Sequence, residues 1–143
     1  MRLTLVQPAI GHRAGESYIR SWQMEPLPIA ALAGLTPDEV ELRFHDDRLE
    51  AIPFDEPTDA VVMPVETYTA RRAYQIARRY RQYGIPVILG GFHPTLMPEE
   101  ASGFADAIVT GEAETVWGEV IDDLAHRTLK PRYHGERGDL SAI

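Results

Sequence analysis

Cysteine is absent from this chain of 143 residues. Disulfides, zinc–thiolate sites, thiolate-held iron–sulfur clusters and cysteine nucleophiles are therefore excluded within it. Positive charge is scarce as well. Lys and Arg number 14 against 22 Asp and Glu, a formal net charge of -8. Nucleic-acid recognition needs clustered positive charge, so no nucleic-acid partner is expected. No apolar run approaches the ~20 residues of a membrane span. The opening "MRLTLVQP" is too short for a signal peptide and reads as a first strand. A cytoplasmic location follows as the default expectation. Several familiar site patterns are missing too: there is no P-loop, no G-x-G-x-x-G after the first strand and no G-x-S-x-G nucleophile. A receiver-type phosphoacceptor would want acids after the first strand, where Gln7 and Pro8 stand. Repeats and low-complexity tracts are lacking.

What is present is enough for one domain with a core of its own. "LTLVQP" (3–8), "VELRFHD" (40–46), "DAVVMPV" (59–65), "IPVILGG" (85–91) and "DAIVTGE" (106–112) read as strands, most of them apolar on both faces. "PLPIAALAGL" (26–35) reads as a helix entered through prolines. Residues 67–83 give the clearest helix, with Ala73, Ile76, Ala77 and Tyr80 on one stripe and Gly84 placed to end it. A short helix follows the fourth strand, and "AETVWGEVIDDLAHR" (113–127) forms the last helix. The stretch 9–25 has no clear period. The charge-rich neighbourhood of 37–57 marks an exposed edge. The tail 128–143 shows no periodicity and is read as a linker. Near-continuous apolar strands alternating with helices predict an α/β domain over 1–127, a doubly wound parallel sheet of about five strands between two helical layers.

In such a sheet, ligands bind beyond the carboxyl ends of the strands. Loops 7–25, 65–68, 90–99 and 111–114 emerge there, and the chemically informative residues gather in them. Thr67 suits an N-cap, a ligand contact, or both. Gly90 and Gly91 expose backbone where a strand meets a loop, which admits a bulky ligand or merely a tight turn. His93 and Thr95 add polar groups at the same edge, and Pro94 biases His93 toward extended backbone. His93 has no second His or Cys at metal-ligand spacing, so no metal site is expected. In "TGEAE" (110–114), Glu112 and Glu114 complement a helix dipole or accept hydrogen bonds from a ligand. The arginines of the middle helix read as a solvated face, or as a docking face for another domain.

Taken in order, "GGFHPTLMPEEA", then "ADAIVTGEAE" with a tryptophan soon after, and the proline-led "PLPIAALAGL", carry a resemblance. The chain from about residue 3 to 133 resembles the amino-terminal cobalamin-binding domain of cobalamin-dependent radical SAM proteins, the group of the anaerobic magnesium-protoporphyrin monomethyl ester cyclases and hopanoid-related enzymes. The resemblance implies a flavodoxin-like, Rossmann-type fold with cobalamin over the carboxyl-end loops. It implies cofactor contacts from Thr67, Gly90, Gly91, His93, Thr95, Gly111 and Glu112. It also implies a radical SAM barrel in cis as partner, which would hold the S-adenosylmethionine and the iron–sulfur cluster. The chain alone is then a cofactor-binding module and not an enzyme. Methyltransferase and mutase cobalamin domains carry D-x-H-x-x-G after the first strand, whose histidine ligates cobalt. Here "QPAIGH" stands there, with no Asp and with His12 out of position. Either cobalt takes no histidine from this chain, or the domain has lost its cofactor and serves docking or substrate cover.

Overall fold

A computed structural model describes residues 1–11 and 24–138. The stretch 9–25 therefore falls largely outside the described residues, with His12 and Trp22 inside the part omitted. Six strands form one parallel sheet: β1 (Arg2–Gln7), β2 (Glu41–Asp46), β3 (Ala60–Pro64), β4 (Val87–Gly90), β5 (Ala107–Gly111) and β6 (Arg132–Gly135). Their spatial order is β2-β1-β3-β4-β5-β6, with the charged strand β2 at an edge as expected. The helices are α1 (Leu27–Leu35), α2 (Ala70–Gln82), α3 (Phe92–Leu96), α4 (Pro98–Ser102) and α5 (Trp117–His126). Short 3-10 turns, Thr67–Thr69 and Ala113–Thr115, lead into α2 and α5.

Alternation along the strands divides the core into two layers. Val61, Met63, Val87, Leu89 and Ile108 face the layer built by Ala73, Ile76, Ala77 and Tyr80 of α2. Leu3, Leu5, Val62, Ile88 and Val109 face Ile29 and Leu32 of α1 and Trp117, Val120 and Ile121 of α5. The register sets Val62 beside Ile88, Ile88 beside Ala107, and Val109 beside Tyr133. This is the doubly wound arrangement expected from the sequence.

The expectations differ from the structure in four places. His93, expected to be extended before Pro94, lies inside helix α3, where its carbonyl accepts the Met97 N–H at 2.8 Å. The sheet runs on into the segment read as a linker. There, β6 pairs with β5 and buries Tyr133, whose hydroxyl donates to Asp123 Oδ2 at 2.7 Å and accepts the Lys130 N–H at 2.9 Å. Thr67 is not the cap before α2: the Glu66 N–H is taken by Thr69 Oγ1 at 3.0 Å. The arginines of α2 are not simply a solvated face. Arg72 pairs with the fully buried Asp47 at 2.7 Å, and Arg79 lies 4.2 Å over the Phe54 ring. Asp47 also accepts the Ala9 N–H, which fixes the chain as it leaves β1. Gly84 ends α2 at φ 73 as expected.

Candidate functional site

The strand order leaves a gap on one face of the sheet. α1 follows β1 and α5 precedes β6, so they cover the flanks, while α2 packs on the opposite face. Between α1 and α5, over the carboxyl ends of β3, β4 and β5, lies a cavity of about 410 Å³. Its floor is Val62, Ile88 and Val109, one apolar side chain from each strand, at positions that share the α1/α5 face. Pro28 and Leu32 of α1 form one wall, and Trp117 of α5 another. The rim carries Glu66, Gly90, Gly91, Phe92, Thr95, Gly111 and Glu112. The volume falls in the range of small-molecule pockets, and an apolar floor under a polar rim is their usual chemistry.

Six of the residues singled out in the sequence thus meet on one cavity: Gly90, Gly91, Thr95, Gly111, Glu112 and Glu114. Their reasons for being there differ. Gly91 sits at φ 94, and a Cβ would come within 3.0 Å of the Val65 nitrogen. Gly111 sits at φ 73, and a Cβ would fall 2.1 Å from the Gly135 carbonyl oxygen. The fold itself requires both glycines. Gly90 differs, because its φ lies outside the left-handed region and a Cβ would make only ordinary contacts of 3.6 Å with Val109. Two residues after Ile88, it presents its face of the strand to the cavity. The protein's own packing leaves that site bare although it has room for a side chain.

Thr95 staples the rim. Its hydroxyl donates to the Gly91 carbonyl at 2.8 Å and accepts the Gly111 N–H at 3.0 Å, which joins the loops after β4 and β5. Behind Trp117, the indole N–H donates to Thr36 Oγ1 at 2.9 Å and ties α5 to the end of α1.

Thr67 and His93 stand apart from the cavity. His93 is buried, with Nε2 3.0 Å from Glu100 Oε1 and Nδ1 3.3 Å from Thr67 Oγ1. The Tyr74 hydroxyl donates to the same Glu100 oxygen at 2.9 Å. The His93 hydrogen bond first, then the Tyr74 hydroxyl, hold the Glu100 carboxyl below the usual carboxylate range. Burial, with the neighbouring Glu100 carboxylate, pushes the Tyr74 phenol well up. Here His93 ties the segment after β4 to α4 and to the turn that leads into α2. Among the described residues no histidine lines the cavity, and no cluster of three His, Cys, Asp or Glu could hold a metal ion.

Sequence reasoning missed Pro28, Leu32 and Phe92 as lining residues. Pro28 and Leu32 lie four apart on α1 and so share a face. That spacing was visible, but nothing in it says which helix borders a cavity.

Comparison with known proteins bears on this cavity. Residues 23–121 match the family described as the B12 binding domain. Bacteriochlorophyllide d C-8(2)-methyltransferase of Chlorobaculum tepidum is 39% identical over 108 residues, which are 75% of this chain and 24% of that protein. Bacteriochlorophyllide d C-12(1)-methyltransferase of the same organism is 34% identical over 110 residues, 76% of this chain and 24% of that protein. Hopanoid C-2 methylase of Rhodopseudomonas palustris is 28% identical over 111 residues, 76% of this chain and 21% of that protein. The chain therefore spans about a quarter of the length of the curated relatives it matches. Among solved structures, the cobalamin-dependent S-adenosylmethionine radical enzyme OxsB with aqua-cobalamin bound superposes with a TM-score of 0.64 at 16% identity, covering 90% of this chain and 19% of that one. That likeness is one of fold.

Proposed function

This chain belongs to the B12-binding domain family, and from that premise we propose that it holds cobalamin at the cavity between α1 and α5 as the cofactor module of a longer radical SAM protein. One observation carries the reading. Gly90 leaves bare a cavity wall that has room for a side chain, at the carboxyl end of the sheet where ligands of this architecture bind. A whole cobalamin is much larger than 410 Å³, so only part of it enters. The apolar floor of Val62, Ile88 and Val109 would hold the part that enters, and the rim loops would hold the rest. Phe92 and Tyr68, exposed at that end of the sheet, offer apolar cover for the ring edge.

Bound cobalamin supplies the cobalt-centred group chemistry. The residues of this chain bind and orient it. Gly90 would admit the part that enters, Thr95 fixes the spacing of the two rim loops, and Trp117 would exclude water from the floor. His93 and Thr67, outside the cavity, hold the loop after β4 in place. Among the described residues no histidine lines the cavity, and the sequence has no D-x-H-x-x-G after the first strand. The relatives are named as methyltransferases and a methylase, and the matched segment is 21–24% of their length. Methyl transfer therefore belongs to the longer protein, with a barrel domain in cis that holds the S-adenosylmethionine and the iron–sulfur cluster.

Calorimetric titration with hydroxocobalamin tests this. The chain is expected to bind saturably at one site. Gly90→Leu, which fills the cavity wall, is expected to bind at least ~10-fold more weakly, a loss of about 1.4 kcal/mol. Equal affinity of the two proteins would overturn the assignment of the cavity.

A further inference from the structure

Glu112 lines the cavity, yet its carboxylate is committed elsewhere. Oε2 accepts the Gly138 N–H at 2.6 Å, and the Glu112 N–H donates to the Gly135 carbonyl at 3.2 Å. The two backbones meet with no room between them. A Cβ on Gly135 would lie 1.8 Å from the Glu112 carbonyl oxygen, and one on Gly111 would lie 2.1 Å from the Gly135 carbonyl oxygen. One residue earlier, Thr110 Oγ1 lies 2.9 Å from His134 Nδ1. On the cavity side, the Gly111 N–H reaches Thr95, and Thr95 reaches Gly91. Hydrogen bonds lead from the rim at Gly91 through Thr95 to Gly111, and from its chain neighbour Glu112 to Gly135 and Gly138. The strand end and the rim loop are thus joined through both backbone and side chain.

We infer that Glu112 is a positioning residue that couples filling of the cavity to the seating of residues 132–138. It acts through Gly138 and not as a charged ligand of the cofactor. The inference rests on the cobalamin reading of the cavity. A carboxylate bound to a backbone N–H is a strong, directional link. A ligand that orders the loop at Gly111 and Glu112 therefore orders the segment bonded to it. Linkage makes the effect reciprocal: loosening the segment weakens the ligand. In a longer protein, whatever follows residue 138 is then aimed by an occupied module and released by an empty one.

Amide hydrogen exchange of the whole chain, with and without saturating hydroxocobalamin, reads the coupling directly. Amides within 132–138 are expected to exchange at least ~5-fold more slowly in the saturated protein. Glu112→Gln keeps an acceptor for the Gly138 N–H and is expected to retain the protection and most of the affinity. Glu112→Ala is expected to lose both. Gly138→Pro removes the donor and leaves the cavity wall untouched, and it is expected to behave like Glu112→Ala. Unchanged exchange in a saturated wild-type chain overturns the coupling while the cobalamin reading stands. So does a Glu112→Gln variant as weak as Glu112→Ala, since that marks a direct charge contact. A wild-type chain that shows no heat with cobalamin overturns the parent reading, and the coupling with it, before any exchange is measured. The wild-type comparison needs no variant to fold.

Discussion

At the residue scale, Gly90 and Gly91 are neighbours with opposite requirements. Gly91 is held at φ 94 and ψ -162 with the Val65 backbone 3.0 Å from any Cβ. Gly91→Ala is expected to destabilise the fold by about 1–3 kcal/mol in a urea titration, the usual cost of forcing a side chain into glycine-only backbone. Gly90→Ala is expected to change stability by less than about 1 kcal/mol, because its methyl makes only ordinary contacts. Glu100 gives a prediction in pH. The His93 hydrogen bond, then that from Tyr74, depress its carboxyl in the folded state. The stability it contributes is therefore fully present above the ordinary carboxylate pKa of about 4.3 and is lost as pH falls through the depressed folded value. Melting temperatures followed from about pH 6 to pH 3 are expected to fall less steeply in Glu100→Gln than in the wild type. At this scale the sequence was half legible. A glycine pair after a strand reads as exposed backbone, and the structure sets it on the cavity rim. His93 reads as a polar group at the same edge, but which way it turns depends on Glu100, seven residues on, and on Thr67, twenty-six residues back. Neither partner is discoverable from local spacing.

At the element scale, five strands and three long helices were legible because each carries its own pattern: an apolar run for a strand buried on both faces, a 3.6-residue stripe for α2. β6 was not. "RYHG" is four residues long and turns only Tyr133 and Gly135 inward, too little for any periodicity. What makes it a strand is β5, whose free edge needs a partner, and Tyr133, which reaches back to α5. Tyr133→Phe removes the bond to Asp123 and leaves the Lys130 N–H unpaired. The expected loss is about 1–2 kcal/mol in denaturant titration, with the native far-ultraviolet spectrum retained. No loss would mean that β6 adds little to the sheet.

At the scale of the molecule, one fact of topology produces the site. Helices α1 and α5 share a face with the middle of the sheet left between them, so three strand ends open into a single apolar cavity ringed by glycine, threonine and glutamate. Strand order could be expected as doubly wound from the sequence. The gap could not, because it depends on which helix crosses which face. The central claim is that cobalamin enters this gap. Methyl-labelled protein titrated with hydroxocobalamin, followed by NMR, tests it most directly. The account predicts that the methyl signals of Leu32, Val62, Ile88 and Val109 shift and saturate together, while those of Val61, Ile76 and Ile108 on the opposite face stay where they are. Shifts confined to the opposite face, or none from the cavity at saturation, would contradict it.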